Sequence, residues 1–275
     1  MKFSVLLPVY FRDKAEYLRD SLRSIYHYQI LKPAEILILV DGPIPLSIKE
    51  VIELFLCEVG KDIVKVIYFK KRNGLAKVLN TGLKYCSNEI IARMDADDVS
   101  RPDRFLKQIE FLEKNPDVDV LGGYIKEWDE KLKIPLGIRK VPTSHSEIVQ
   151  FAKYRSPFNH MTVIFKKRKI LDIGGYPEDF RVMQDYALWC KAIKMGLKFA
   201  NIPEILVDVR AGNSFFKRRK GSSYLKYEIK LFRYLTKIGF WGKKELVIYG
   251  TSRIAFRSLP SWLLSVVYRY CLRSK

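Results

Sequence analysis

The first part of the chain alternates between short apolar runs and segments in which apolar residues recur every three or four positions. The apolar runs predict buried strands and cover residues 3–9, 34–40, 63–69 and 89–94. The intervening segments predict helices, with inward faces such as Leu18, Leu22 and Ile25 in the first and Phe105, Ile109 and Leu112 in the last. This alternation predicts an α/β fold with a Rossmann-like, mainly parallel sheet and helices on both faces.

Capping residues predict where these helices begin. Asp13 with Glu16, and Ser47 with Glu50, have the spacing of capping boxes, and Ser100 precedes the fourth helix.

After residue 118 the alternation becomes less regular. The pattern predicts shorter strands with a hairpin near residues 129–131, a helix at 146–154 and a strand at 161–165. A helix at 183–195 and an extended stretch at 202–209 follow. Beyond them the chain is basic and helical in pattern, with breaks at glycines and at Pro260.

Ligands of parallel sheets bind beyond the carboxyl ends of the strands. The candidate site therefore lies among residues 8–11, 41–42 and 95–98, which follow the first, second and fourth strands. Asp95, Asp97 and Asp98 gather three carboxylates there. Hard oxygen ligands of this kind suit Mg²⁺ or Mn²⁺ held together with substrate phosphates, whereas the alternative is a solvated acidic turn before a helix.

A second candidate is Asp185, which lies in a helical segment near the end of this part of the chain. A carboxylate in this position can accept a proton from an acceptor hydroxyl. Alternatively, it compensates the dipole at the start of the helix.

The formal net charge is +20, and it is concentrated at the C-terminus. Residues 212–275 hold 15 basic and 2 acidic residues, together with aromatic residues such as Trp262 and Tyr268. Such a region suits either an anionic membrane leaflet or a nucleic acid.

The four cysteines are widely separated and are expected to be reduced thiols. The apolar run at the N-terminus is too short for a signal peptide and no membrane span is predicted, so we expect a cytoplasmic protein.

A series of short segments resembles glycosyltransferase family 2 in order and spacing. They are Pro8-Val9-Tyr10, Asp41-Gly42, Asn73-Gly74-Leu75-Ala76, Leu79-Asn80-Thr81-Gly82, Asp95-Ala96-Asp97-Asp98, Pro102-Asp103-Arg104-Phe105 and Gln184-Asp185-Tyr186-Ala187-Leu188-Trp189. The resemblance covers residues 1 to about 213 and is greatest to the bacterial branch that builds exopolysaccharide, capsule and lipopolysaccharide. It implies a GT-A fold over residues 1–213, followed by a basic helical extension over residues 214–275.

The resemblance also implies roles for individual residues. Pro8, Val9 and Tyr10 would line the pocket for the nucleotide base, Asp41 would hydrogen-bond that base, and Asn80 would lie beside the donor.

Asp95 would bind the ribose, and Asp97 would ligate the metal that bridges the diphosphate. Asp98 is a weaker candidate for a metal ligand. Asp185 would be the general base. A single in-line displacement would then invert the anomeric configuration.

This chain departs from the family pattern at two places. Gln184 replaces the first carboxylate of a common Glu-Asp pair, and Ala211 stands where a histidine is frequent. Arg210 could replace that histidine as a phosphate ligand or be a surface arginine. His160 precedes a predicted strand on the side that binds the acceptor in such folds.

The function implied is the metal-dependent, inverting transfer of a sugar from a nucleotide-sugar donor, by resemblance a UDP-sugar, to a glycan or lipid-linked acceptor. The basic extension suggests peripheral attachment to the inner face of the cytoplasmic membrane. Two alternatives are a nucleic-acid-binding protein that uses the basic extension and a sugar nucleotidyltransferase. No nucleic-acid-binding module is recognisable in the sequence, and a nucleotidyltransferase would have a glycine-rich loop where Pro8-Val9-Tyr10-Phe11 stands.

Overall fold

The computed structural model describes residues 1–211 and 222–251, and in them it confirms the predicted α/β alternation. The strands are β1 (Phe3–Val9), β2 (Glu35–Val40), β3 (Val64–Tyr68), β4 (Ile90–Arg93), β5 (Val99–Ser100), β6 (Val120–Trp128), β7 (Pro135–Arg139), β8 (Ile164–Lys166) and β9 (Phe199–Arg210). The helices are α1 (Ala15–Ile25), α2 (Leu46–Val59), α3 (Leu75–Tyr85), α4 (Arg104–Lys114), α5 (His145–Phe151), α6 (Lys167–Asp172), α7 (Gln184–Lys194), α8 (Ser222–Lys237) and α9 (Lys243–Glu245). A 3₁₀ turn covers His160–Thr162, and a π-helical turn at Leu246–Gly250 continues α9.

All described strands belong to one sheet, in the order β3-β2-β1-β4-β8-β6-β9-β5, with β7 paired to β6. Strands β3, β2, β1, β4, β6 and β9 run in one direction, whereas β8, β5 and β7 run in the opposite direction. The sheet is thus mainly parallel, as predicted. The predicted hairpin near residues 129–131 is the β6–β7 connection, in which Trp128 pairs with Pro135.

The core lies on both faces of the sheet. Helices α1, α2 and α4 cover one face through residues such as Leu22, Phe55 and Phe105, and α3, α5, α6 and α7 cover the other through residues such as Leu79 and Trp189. Because successive residues of a strand point to opposite faces, each strand serves both layers. The helices on the two faces hold the strand ends, and hence the site, in fixed positions.

The predicted capping residues were wrong. Helix α1 begins after Lys14 and α2 after Pro45, in both cases without a side-chain cap, and Ser100 belongs to strand β5. Asp13 instead accepts the backbone N–H of Tyr10 at 2.8 Å. Asp13 thus stabilises the turn after β1 and does not cap α1.

Helix α8 packs against the α/β body of the chain. Leu231, Phe232 and Leu235 form an apolar cluster with Tyr186 and Cys190 of α7. Trp241, which joins this cluster, is buried and donates its Nε1–H to the carbonyl of Lys153 (3.0 Å). The described part of the basic extension is therefore anchored to the helix that carries Asp185.

Across residues 1–211 and 222–251, no helix combines the length and the apolar character needed to cross a bilayer. The part of the predicted basic extension that carries Trp262 and Tyr268 lies outside the described residues.

Candidate active site

The carboxyl ends of β2, β1 and β4 lie side by side because these strands are neighbours in the sheet. Asp41, Tyr10 and Asp95 follow these three strands within two residues. Strand β2 lies on one side of β1 and β4 lies on the other, so the strand order reverses direction at β1. Open α/β sheets bind their ligands at such a switch point. The structure thus brings three of the predicted site residues to one edge of the sheet.

Asp41 is buried and holds the loop that starts α3. Its carboxylate accepts the backbone N–H groups of Asn73 (2.6 Å) and Gly74 (3.0 Å). Gly74 has a φ of 90°, a left-handed conformation that favours glycine. A carboxylate can accept about four hydrogen bonds, so Asp41 can hold this loop and still accept a donor from a ligand.

Aromatic rings and a cation border the end of β1. The Arg72 guanidinium lies 5.6 Å from the ring centre of Tyr10 and 5.3 Å from that of Phe11. Sequence analysis missed Arg72, although it ends a basic run directly after the third strand. Pro8 is partly exposed, whereas the side chain of Val9 is buried in the core, so Val9 faces this edge only through its backbone.

The loop after β4 holds the three predicted carboxylates, whose oxygens lie within 4.8 Å of one another. Both oxygens of Asp95 are bound by the buried guanidinium of Arg93. Asp98 is buried and accepts the backbone N–H of Arg210 at 3.1 Å. Burial, together with the charges of Asp97 and Asp95, raises the pKa of Asp98 well above its usual range. Asp97 is the most exposed of the three carboxylates.

Arg104 supports this loop from inside the protein. Its buried guanidinium donates to the carbonyl of Arg93 (2.8 Å) and to Gln108 Oε1 (3.1 Å), and it contacts Met94 Sδ at 3.2 Å. Burial and the neighbouring Arg93 lower the pKa of Arg104 to about 9. The arginine of the Pro102-Asp103-Arg104-Phe105 segment thus fixes the end of β4.

Arg210, the last residue of β9, binds both α1 and the loop that holds Asp95, Asp97 and Asp98, which we call the acidic loop. Its guanidinium donates to the carbonyl of Asp97 (2.5 Å) and to the carboxylate of Asp20 (2.6 Å), and lies 4.3 Å from the ring centre of Tyr17. Its side chain is only 5% exposed. The structure therefore places Arg210 as an internal clamp, and its burial contradicts the surface arginine considered from the sequence.

Asp13 adds a fourth carboxylate to this neighbourhood. Burial raises its pKa to about 7; the hydrogen bond from Tyr10 opposes this rise, and the charges of Asp97 and Asp95 add to it. Its electrostatic coupling to the acidic loop became visible only in the folded structure.

Asp185 lies in the first turn of α7. The residue before this helix, Met183, has a φ of 65°, which is unusual for a residue other than glycine and is a form of strain often found near functional sites. Burial raises the pKa of Tyr176 above its usual range, and the charges of Asp185 and Asp95 both act on this hydroxyl. Asp185 and Asp95 thus both lie within electrostatic reach of the Tyr176 hydroxyl.

Asn80 is occupied by protein contacts. Its Nδ2 donates to the carbonyl of Tyr176 (2.8 Å) and to Glu178 (3.0 Å), and its Oδ1 accepts the N–H of Tyr176 (2.8 Å). Its amide therefore positions the loop after Gly175 against α3.

Comparisons with known proteins agree with this architecture. A 36% identical glycosyltransferase of Erwinia amylovora, named for amylovoran biosynthesis (AmsE), matches 97% of both chains. An Escherichia coli UDP-Gal:α-D-GlcNAc-diphosphoundecaprenol β-1,3-galactosyltransferase is 34% identical over 99% of this chain and 97% of its own length.

Solved structures share the fold at low sequence identity. The mannosyltransferase PcManGT of Pyrobaculum calidifontis, in complex with GDP-Man and Mn²⁺, superposes with a TM-score of 0.64 at 17% identity, covering 96% of this chain and 72% of that one. Staphylococcus aureus TarS 1-349 with UDP-GlcNAc gives 0.63 at 18% identity, covering 86% and 66%. These likenesses establish a GT-A fold.

The model of Glycosyl transferase family 2 matches residues 4–174, which include β1, β2 and the acidic loop. Together with the relatives that align over nearly the whole chain, this match decides among the three functions considered from the sequence: the chain belongs to glycosyl transferase family 2 and is a glycosyltransferase.

Proposed function

We propose that this chain transfers a sugar from a UDP-sugar to a hydroxyl of a glycan or lipid-linked acceptor during synthesis of a cell-surface polysaccharide, with inversion and with Mg²⁺ or Mn²⁺ as cofactor. The observation that carries the proposal is that Asp41, Tyr10 and Asp95 meet at one sheet edge while Tyr176 lies within electrostatic reach of both Asp95 and Asp185. The names of the Erwinia and E. coli relatives support the pathway and the donor class.

The nucleotide occupies the carboxyl ends of β1 and β2. Tyr10 provides an aromatic face for the base, Asp41 accepts a hydrogen bond from it, and the partly exposed Pro8 and the Val9 backbone complete the edge. Asp95, held by Arg93, faces the ribose. Asn80 contributes to this site indirectly, through the loop that it positions.

The acidic loop fits a single-carboxylate metal site. Asp97 is the most exposed of the three carboxylates, so it is the ligand that a metal bound together with a diphosphate can reach most readily. A bound divalent ion stabilises the negative charge of the departing diphosphate.

Asp185 acts as the general base. It accepts the proton of the attacking hydroxyl, which displaces the nucleoside diphosphate in one in-line step, so the anomeric configuration inverts and no covalent enzyme intermediate forms. Because residue 184 is glutamine in this chain, Asp185 acts without a second carboxylate at that position.

The site is tested by titrating UDP and GDP into the protein with Mn²⁺ and then with EDTA. We expect metal-dependent binding of UDP that is lost in Asp97→Ala and retained in the matched control Asp117→Ala, which removes an exposed carboxylate after α4. Absence of nucleotide binding by the unmodified protein in every condition would refute the proposal.

The enzyme works at the inner face of the cytoplasmic membrane, where a lipid-linked acceptor would be presented. Exposed Lys243 and Lys244 lie next to the exposed apolar residues Leu246, Val247 and Ile248, a combination that suits the headgroup layer. Deletion of residues 255–275 is expected to weaken binding to anionic vesicles and to reduce the membrane-bound fraction. An unchanged membrane-bound fraction would contradict attachment through residues 255–275.

A further inference from the structure

The 3₁₀ turn that begins at His160 lies beside the end of β4. The backbone N–H of Arg93 donates to the carbonyl of Val163 at 2.9 Å, and the carbonyl of Thr162 accepts the Gln108 side chain at 2.8 Å. This turn is thus attached to the strand that leads into the acidic loop.

The ring of His160 is fixed on two sides. Its Nε2 forms a 2.9 Å hydrogen bond with the hydroxyl of Tyr176, and its ring lies edge-on to Trp189 of α7 at a centroid distance of 6.2 Å. Nδ1 has no hydrogen-bond partner within residues 1–211 and 222–251, and His160 is partly exposed whereas Tyr176 is buried. Of this pair, His160 is the member that a ligand can reach.

Tyr176 is held in turn by α3. Asn80 binds both the N–H and the carbonyl of Tyr176, each at 2.8 Å. The preceding Gly175 has a φ of 68°, and a Cβ there would collide with Asn80 Oδ1. Asn80, Tyr176 and His160 therefore form a rigid chain of contacts that begins in α3.

The His160–Tyr176 pair lies within electrostatic reach of residues from both parts of the proposed reaction centre, the acidic loop and Asp185. The charge of Arg93, which holds Asp95, acts on His160, and the charges of Asp95 and Asp185 act on Tyr176. The transferred sugar lies between the departing diphosphate and the acceptor, so a hydrogen-bonding group close to the end of β4 and within electrostatic reach of the general base is well placed to contact it. Desolvation, together with the positive charge of Arg93, lowers the pKa of His160 well below its usual range, so its imidazole is neutral near pH 7.

We propose that His160 binds a hydroxyl of the donor sugar through Nδ1 and that Tyr176 is the positioning residue that orients its ring. This inference rests on the proposed function. Nδ1 of a neutral imidazole donates or accepts according to the tautomer, and a sugar hydroxyl can do either, so the pair is complementary in both tautomers.

The test compares UDP with UDP-sugars by calorimetric titration in Mn²⁺, using UDP-galactose, UDP-glucose and UDP-N-acetylglucosamine. His160→Ala is expected to keep its affinity for UDP within about twofold, while its affinity for the tightest-binding UDP-sugar falls roughly two- to tenfold, the value of one hydrogen bond. Tyr176→Phe keeps the ring and loses only the hydroxyl, and should give a smaller loss of the same kind.

His145→Ala is the matched control. His145 stacks on Phe199 with a centroid distance of 5.9 Å and accepts its N–H at 3.3 Å, so its removal tests a structural histidine. Equal affinities of the unmodified protein, His160→Ala and Tyr176→Phe for the UDP-sugar would overturn the inference, as would an equal loss for UDP and UDP-sugar. Failure of the unmodified protein to bind any UDP compound would instead overturn the proposed function, and the inference with it.

Discussion

Replacing Arg210 by alanine should loosen the acidic loop without removing any of its carboxylates. The guanidinium bridges the Asp97 carbonyl and the Asp20 carboxylate, and it packs on the ring of Tyr17. The hydrogen bond from its backbone N–H to Asp98 is independent of the side chain and should persist in every variant.

The cost follows from these three contacts. A hydrogen bond from a buried charged donor contributes about 1.5–3 kcal/mol, and the contact with the tyrosine ring about 0.5–1 kcal/mol. The ion pair with Asp20, whose side chain is 53% exposed, contributes about 0–1 kcal/mol because solvent screens it. We therefore expect Arg210→Ala to lower the free energy of unfolding by about 2–5 kcal/mol.

Metal-dependent binding of UDP should also weaken, because the Arg210 side chain holds the main chain of Asp97, the proposed metal ligand. Groups that orient a metal ligand typically change metal affinity by about 10- to 100-fold, so Mn²⁺-dependent UDP binding should weaken by about tenfold or more. Chemical denaturation and calorimetric titration of the purified variant measure the two effects.

Two controls separate the clamp from general charge loss. Asp20→Asn removes only the exposed end and should cost at most about 1 kcal/mol. Arg101→Ala removes an arginine that binds Asp208 on the neighbouring strand and does not contact the acidic loop through its side chain. If Arg210→Ala and Arg101→Ala had the same affinity for UDP with Mn²⁺, the reasoning about the clamp would be refuted.

Two further predictions concern pH and the extension. Because the pKa of Asp13 is raised from 3.8 to about 7, the folded state binds the extra proton, so stability in EDTA should fall as pH rises between these values. Asp13→Asn should flatten this dependence in thermal melts; an unchanged slope would contradict the assignment. Trp241→Ala should cost about 3–5 kcal/mol in one cooperative denaturation transition, because this buried ring packs with α7, whereas exposed Tyr28→Ala should change little. Two separate transitions would show that the extension unfolds independently.

The elements of the fold could be predicted from the sequence because their signals are local. Buried strands such as β2 are continuous apolar runs, and the inward faces of α1 and α4 repeat at helical spacing. Helix starts were predicted poorly, since Asp13 has the same spacing to Glu16 whether it caps α1 or accepts the N–H of Tyr10. Sequence spacing does not distinguish these two uses of a carboxylate.

By itself, the sequence determined the alternation of strands and helices, and hence that Tyr10, Asp41 and Asp95 would follow strands of one parallel sheet. Only the tertiary structure decided what surrounds them: Arg210 reaches Asp97 from 113 positions away, and Asn80 reaches Tyr176 across 96. Hydrophobic periodicity encodes which residues a segment buries. The partner of a polar side chain depends instead on where distant segments meet once the core has packed, so these contacts appear only in the folded chain.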